Sequence, residues 1–318
     1  MADLLVLCNV TDEMRTRLDG GFEYQLAKDL EDVDAWMETQ GAAVEYLLTD
    51  GHLGVPQNIL AGLPNLKAIS SYGVGYDSID TTVTNARGLP VSHTPSVLDD
   101  EVATTALLLY LSVMRNFPAE VAHAASGAWE RDGGLGLSRS ADNRKIGILG
   151  LGRIGKAFAR KMEPFNADIC YTGRSRQDVP YRYFADLAEM AAEVDALVCI
   201  APGGPATHHL VNSEVLRALG PEGVLVNVGR GSVVNEVALV AALDAGEVGG
   251  AGLDVFENEP HIPQALRQNP NVVVTPHIGS ATVETRRAMG DLSIDNLLEF
   301  KARGRMITPV PECSHLFE

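Results

Sequence analysis

The segment KIGILGLGRIGKAFARKM, residues 145–162, contains the first arrangement with a chemical consequence. Gly150, Gly152 and Gly155 form G-x-G-x-x-G between a run that reads as a strand and one that reads as a helix, the context that separates a dinucleotide site from a chance match. The first glycine allows a tight turn, the second lets backbone approach a pyrophosphate, and the third lets the helix lie close to the strand. Unpaired N–H groups and the positive dipole end at the helix start attract an anion. Cofactor contacts are therefore expected along Gly150, Leu151, Gly152, Arg153, Ile154 and Gly155, the plain alternative being a glycine turn with no ligand. About 20 residues further on, such a unit usually places one acid against the adenosine ribose. In ICYTGRSRQD, residues 169–178, that turn has no acid and carries Arg174, Ser175 and Arg176. A planar fork of donors suits phosphate, so these residues point to the 2′-phosphate of NADP(H), with NAD(H) still possible. Arg153 could approach the same group from the other side. The alternative reading is a pair of solvated surface arginines.

The elements that position these residues follow from the pattern of apolar runs. DLLVLC, AVEYLLT and LKAISS are strand-like and separated by amphipathic segments, the rhythm of a parallel sheet covered by helices. A long apolar helical stretch, DDEVATTALLLYLSVMRNFPAEVAHAASGAW, follows and is interrupted near Pro118. A second alternation runs through KIGILG, ADICYT, DALVCIA, GVLVNVG, GGAGLDV and NVVVTP, and the boundary between the two sets falls near residue 98. The closing stretch ATVETRRAMGDLSIDNLLEFKARG is helical and ends at a glycine, a common helix terminator.

Composition limits the partners. At 318 residues the chain exceeds the size of a single core, so two domains are expected. A formal charge of −17 disfavours nucleic acid and anionic membranes, which would repel the chain at long range. No run approaches the roughly 20 apolar residues that span a bilayer, and MADLLVLCNV reads as a first strand and not as a signal peptide. Cys8, Cys170, Cys199 and Cys313 are scattered without zinc-binding spacing, a reduced pattern that suits the cytoplasm. No metal site is expected. His208 and His209 are adjacent, which on a strand would turn them to opposite faces. With His52, His93, His123, His261 and His315 they read as structural histidines.

Three further segments occur in chain order: NVGRGS, LDVFENEP and TPHIGSAT. Together with the glycine motif and SSYGVGYDSID, they make the sequence resemble the D-2-hydroxyacid dehydrogenase family over nearly its whole length, and within it the glyoxylate/hydroxypyruvate reductase branch. The resemblance implies a Rossmann-type cofactor domain, residues 99–286, and a flavodoxin-like substrate domain, residues 1–98 with 287–318, because the last helix crosses back. Both are doubly wound parallel α/β sheets. It implies Arg230, Glu259 and His277 as a catalytic trio, and backbone N–H groups of Val74 and Gly75 as carboxylate ligands, which places a small 2-oxo or 2-hydroxy acid between the domains. Cofactor contacts carry over to Val228, Asp254, His277 and Gly279, with support of its own turn as the alternative role for Asp254. The chemistry agrees with these roles. Reduction of a 2-oxo acid needs a cation at the carboxylate and carbonyl, a hydride, and a proton for the developing alkoxide. Arg230 suits the first task. A histidine supplies the proton, and a nearby carboxylate favours its charged form and fixes its tautomer.

Departures from the family narrow the expectation to NADPH-dependent reduction of glyoxylate, hydroxypyruvate or a relative. The missing ribose acid sets the chain apart from NAD-preferring members. The serine-sensing module of some phosphoglycerate dehydrogenases is not expected after residue 318. The acid at 259 disfavours formate dehydrogenase, whose corresponding residue is glutamine. Two alternatives stay open: an NAD-linked D-2-hydroxyacid or phosphoglycerate dehydrogenase, and a nucleotide-sensing, corepressor-like binding protein. The resemblance also implies a homodimer through the stretch after residue 99, with Trp129 a candidate to reach the partner's site. Gly51, His52, Leu53, Leu98 and Trp129 are the candidate determinants of substrate choice.

Overall fold

Most of the apolar runs become short parallel strands. The computed structural model describes residues 1–317. In the first unit, Met1–Leu98 with the stretch from Thr282 onward, the strands are β1 (Leu4–Val6), β2 (Tyr24–Leu26), β3 (Tyr46–Thr49), β4 (Ala68–Ser71) and β5 (Val91–Ser92). Their order is β2-β1-β3-β4-β5 and every pairing is parallel. This is the flavodoxin-like order, with its reversal beside β1. Central strands are covered on both faces, which is why β1 and β3 are wholly buried and read as uninterrupted apolar runs.

The closing helix, Val283–Arg303, packs on this sheet. Thr282 caps its start by accepting the Thr285 N–H, and Gly304, at φ 70°, ends it in the left-handed conformation that glycine adopts without strain. Ser70 Oγ of β4 donates to the Ser293 carbonyl at 2.8 Å, and a Cβ on Gly290 would meet Met14 Cγ at 2.6 Å. The units divide at Thr282, the cap of this helix, and not at 287. A capped helix is a cooperative element, so the division falls before it and not within its second turn.

The second unit, Asp99–Ala281, contains β6 (Lys145–Leu149), β7 (Asp168–Thr172), β8 (Arg182–Phe184), β9 (Ala196–Cys199), β10 (Val224–Asn227), β11 (Gly250–Leu253) and β12 (Val272–Val274). The order β12-β11-β10-β9-β6-β7-β8, again all parallel, is the doubly wound dinucleotide-binding arrangement with one strand added. The strand order reverses between β6 and β9, where such sheets bind ligands at the carboxyl ends of their strands.

The long helical stretch is three helices, Asp99–Met114, Phe117–Ala125 and Ala128–Asp132. Asn116 at φ 49° breaks the first from the second, and Pro118 stands in the opening turn of the second, where its missing N–H costs nothing. The first helix buries Val102, Ala103, Ala106, Leu109, Tyr110 and Met114 within its own unit. That burial accounts for most of its apolar excess. The glycines of β11 admit this helix: a Cβ on Gly252 would meet Leu109 Cβ at 2.9 Å, and one on Gly250 would meet Val113 Cγ1 at 3.0 Å. Among the described residues, no helix is long and apolar enough to cross a membrane.

Candidate active site

The glycine motif joins β6 to the helix Arg153–Met162. Gly150 lies at φ 99°, and a Cβ there would meet Ala201 Cα and N at 2.9 Å, so the turn is closed to any other residue. A Cβ on Gly155 would run into the Gly150 carbonyl, which fixes how closely the helix rides on the strand. Gly152 differs from both, because a Cβ there would meet nothing within 4 Å. Packing does not require that glycine, whereas a ligand approaching the backbone does. No side chain caps the helix at Gly152, so its first N–H groups are left for an anion. These features fit a dinucleotide pyrophosphate.

The basic turn follows β7, the neighbour of β6, and the two connections are tied where the Gly150 N–H donates to the Thr172 carbonyl at 3.0 Å. Arg174, Ser175 and Arg176 are exposed, and among the described residues neither arginine forms an ion pair. Arg153 is different. Its Nε lies 3.3 Å from Asp99 Oδ2, so a protein carboxylate already engages it. Burial raises the Asp99 carboxyl above the ordinary aspartate range, the Arg153 charge opposing that rise.

Arg230, Glu259 and His277 stand on the connections after β10, β11 and β12, three adjacent strands. Asn227, at the end of β10, pins the first connection by accepting the Gly229 N–H at 3.1 Å and donating Nδ2–H to the Arg230 carbonyl at 2.9 Å. A Cβ on Gly231 would run into the backbone of Phe256, so the Arg230 connection lies directly against the one that carries Glu259. Glu259 is 13% exposed. Its Oε1 accepts the Phe256 N–H at 3.0 Å, and its Oε2 lies 2.7 Å from His277 Nδ1. The His277 side chain is 40% exposed, and its backbone holds φ 52° with its N–H shared between the Asp254 and Thr275 carbonyls. Histidine tolerates this left-handed conformation better than most residues do, and strain of this kind concentrates at functional sites.

Asp254 supports that turn. Oδ1 accepts the Thr275 hydroxyl and the Ile278 N–H, both at 2.7 Å, and Oδ2 accepts the Gly279 N–H at 2.8 Å. Burial raises its carboxyl above the usual range, opposed by these hydrogen bonds and by His277. Val228 is buried beneath the Arg230 connection, where its N–H donates to the Cys199 carbonyl.

The sequence reading missed the part taken by Glu257. Its Oε1 accepts the Glu236 N–H at 3.0 Å and lies 2.8 Å from His209 Nε2, and its own N–H donates to Glu236 Oε1 at 2.8 Å. These contacts clasp the Phe256–Pro260 connection to the start of the helix Glu236–Asp244. ENEP contains two glutamates, and no spacing rule separates the one facing His277 from the one facing Glu236. His208 and His209 are not on a strand. They occupy a turn in which His209 adopts φ 54°, and their rings stack with centroids 3.8 Å apart instead of facing opposite ways.

In the first unit, Val74 and Gly75 follow β4 in a turn held by the Gly73 N–H donating to Ser71 O and the Thr94 N–H donating to Gly73 O, both at 2.9 Å. Among the described residues, the N–H groups of Val74 and Gly75 have no hydrogen-bond acceptor, and the buried hydroxyls of Ser71 and Thr94 beside them have no partner. The turn at Gly51, His52 and Leu53 is capped by Asp50, whose Oδ1 accepts the His52 and Leu53 N–H groups. Leu98 is buried, and Trp129 in the second unit is exposed.

Residues 107–279 match the family model described as D-isomer specific 2-hydroxyacid dehydrogenase, NAD binding domain. The chain is 38% identical over 308 residues to a hydroxyphenylpyruvate reductase of Plectranthus scutellarioides, covering 96% of this chain and 98% of that one. It is 37% identical, with the same coverage, to a glyoxylate/hydroxypyruvate reductase A of Arabidopsis thaliana. Its fold superimposes with a TM-score of 0.92 on an NADPH-dependent glyoxylate/hydroxypyruvate reductase from Sinorhizobium meliloti solved with NADP and malonate, at 42% identity over 98% of this chain and 97% of that one.

Proposed function

The chain belongs to the D-isomer specific 2-hydroxyacid dehydrogenases, in the glyoxylate/hydroxypyruvate reductase branch, and from that membership we propose that it reduces glyoxylate, hydroxypyruvate or a related 2-oxo acid with NADPH. The observation that carries this reading is the 2.7 Å pairing of His277 with Glu259 on a connection adjoining that of Arg230.

Arg230 presents a cation to the substrate carboxylate and carbonyl oxygen, drawing electron density from the carbon to be reduced. The N–H groups of Val74 and Gly75 are assigned to the substrate carboxylate. The nicotinamide, when bound, supplies the hydride that forms the new C–H bond. The carbonyl π pair moves onto oxygen, and that oxygen takes the proton of the His277 ring, giving the D-2-hydroxy acid. Glu259 engages Nδ1, so Nε2 is the nitrogen from which the proton leaves, and the carboxylate holds the ring through the transfer. Gly150–Gly155 and the helix start would hold the pyrophosphate, and Arg174, Ser175 and Arg176 the 2′-phosphate, while Val228, Asp254 and Gly279 would line the nicotinamide end.

The test is a panel of 2-oxo acids with NADPH and NADH in parallel, with chiral analysis of the product. Turnover of glyoxylate or hydroxypyruvate faster with NADPH, and a D product from hydroxypyruvate, whose reduction creates a stereocentre, is the expected result. Tight NADPH binding with no oxidation by any 2-oxo acid would make the protein a nucleotide sensor, and preference for NADH would make it an NAD-linked dehydrogenase.

Two further assignments belong to this reading. Exposed apolar side chains gather on and after the helix Asp99–Met114, at Leu108, Phe117, Val121, Trp129, Leu135 and Leu137, and pairing of two copies across them would remove that surface from water. All four cysteines are unpaired, in keeping with a reducing, cytoplasmic setting.

A further inference from the structure

We propose that Gln177 is a positioning residue for cofactor choice, clamping the turn that bears Arg174, Ser175 and Arg176 onto the glycine loop. The proposal rests on the NADPH reading above and adds a residue that touches neither the phosphate nor the reacting atoms.

The turn between β7 and β8 is held at three points. At its start, the Tyr183 hydroxyl donates to the Gly173 carbonyl at 3.3 Å. At its end, the Gln177 N–H donates to the Tyr171 hydroxyl at 2.6 Å, and Tyr171 is fully buried in β7. The third point is lateral: Gln177 Nε2 donates to the Leu151 carbonyl, inside the glycine motif, at 2.8 Å. Arg174, Ser175 and Arg176 lie exposed between these anchors, while Gln177 is half-buried.

Both arginine side chains are long and exposed, so holding them toward one phosphate costs side-chain entropy, and any freedom of the backbone beneath them adds to that cost. The anchor on Leu151 joins the backbone that would carry the 2′-phosphate contacts to the backbone that would carry the pyrophosphate contacts. It thereby sets the spacing between the two phosphate sites. A cofactor without the 2′-phosphate uses only the second site and gains nothing from that spacing. Sequence spacing gives Gln177 no role, because only the pairing of β6 with β7 brings position 177 to position 151.

The experiment compares wild type, Gln177→Met and Tyr171→Phe, each confirmed as folded by its thermal transition. KM and Kd for NADPH and NADH are measured with one 2-oxo acid held saturating. Methionine retains the length of the side chain and loses the donor, and phenylalanine retains the ring and loses the hydroxyl. The loss of one such hydrogen bond should raise the NADPH constants about three- to tenfold in either variant while NADH constants move less than about twofold. Tyr171→Phe leaves the Gln177 side chain intact, so it carries the test if Gln177→Met is unstable. Equal weakening of both cofactors would overturn the proposal, since the clamp would then serve the glycine loop in general. An unchanged NADPH to NADH ratio in a wild type that prefers NADPH would overturn the clamp and leave the cofactor reading standing. A wild type that prefers NADH would remove the reading and the clamp together.

Discussion

Replacing Glu259 with glutamine tests the chemical core, because the substitution keeps the shape of the side chain while removing its charge and turning one acceptor into a donor. The two oxygens of Glu259 face two donors: Oε1 accepts the Phe256 N–H at 3.0 Å, and Oε2 lies 2.7 Å from His277 Nδ1. A carboxylate satisfies both, since each oxygen is an acceptor. Glutamine has one oxygen and one NH2 group. If its oxygen remains on Phe256, its NH2 faces Nδ1, and the imidazole must carry its proton on Nε2 and resist a second one. If the amide turns over, two N–H groups confront each other at Phe256. Either arrangement forfeits the charge-assisted hydrogen bond to a protonated ring, an interaction on the order of 1.5–3 kcal/mol. At about 1.4 kcal/mol per decade, kcat should fall by roughly ten- to 150-fold. NADPH affinity, set by the glycine loop and the basic turn, should hardly change. The assay is single-turnover oxidation of NADPH with saturating 2-oxo acid, so that product release does not mask the step, together with nucleotide titration of the free enzyme. A Glu259→Gln variant that keeps more than about half of the wild-type single-turnover rate would refute the proton-delivery role of the pair.

Three other outcomes follow from the same geometry. Replacing Arg174 and Arg176 together with alanine should weaken NADPH by about tenfold or more and leave NADH nearly unaffected, and paired titrations showing equal losses would mean that the arginines are merely solvated. Gly231→Ala should destabilise the protein by roughly 1–3 kcal/mol, because its Cβ would collide with the Phe256 backbone; urea unfolding measures this, and an unchanged midpoint would contradict the contact. Burial pushes the Cys8 and Cys170 thiols up to about 12 and raises those of Cys199 and Cys313 as well. The native protein at neutral pH should therefore react negligibly with a thiol reagent until denatured, and rapid modification of even one thiol would show that the local packing opens readily.

The glycine motif and the basic turn were legible because each depends on local chemistry, whereas the roles of Arg230, Glu259 and His277 came from resemblance to the family. A strand feeding a helix through Gly150 and Gly155 requires glycine for steric reasons that act within a few residues, and the central strands β1, β3, β6, β9 and β10 announce themselves as apolar runs because both faces are covered. What escaped lies at the edges and between segments. β2, β5 and β8, three of the four edge strands, are only two or three residues long, and YQL, VS and RYF mix polar with apolar residues, which leaves no continuous apolar run to find. The apolar helix Asp99–Met114 could be read as core or as interface, since hydrophobicity does not say which surface meets it; the missing side chains of Gly250 and Gly252 decide for core along most of its length. Long-range pairing likewise brought Glu257 to Glu236 and His209, and Gln177 to Leu151. Residue types and spacing thus determined the chemistry this protein could perform, whereas the parallel register of neighbouring strands, which joins residues distant in sequence, alone determined which side chains meet.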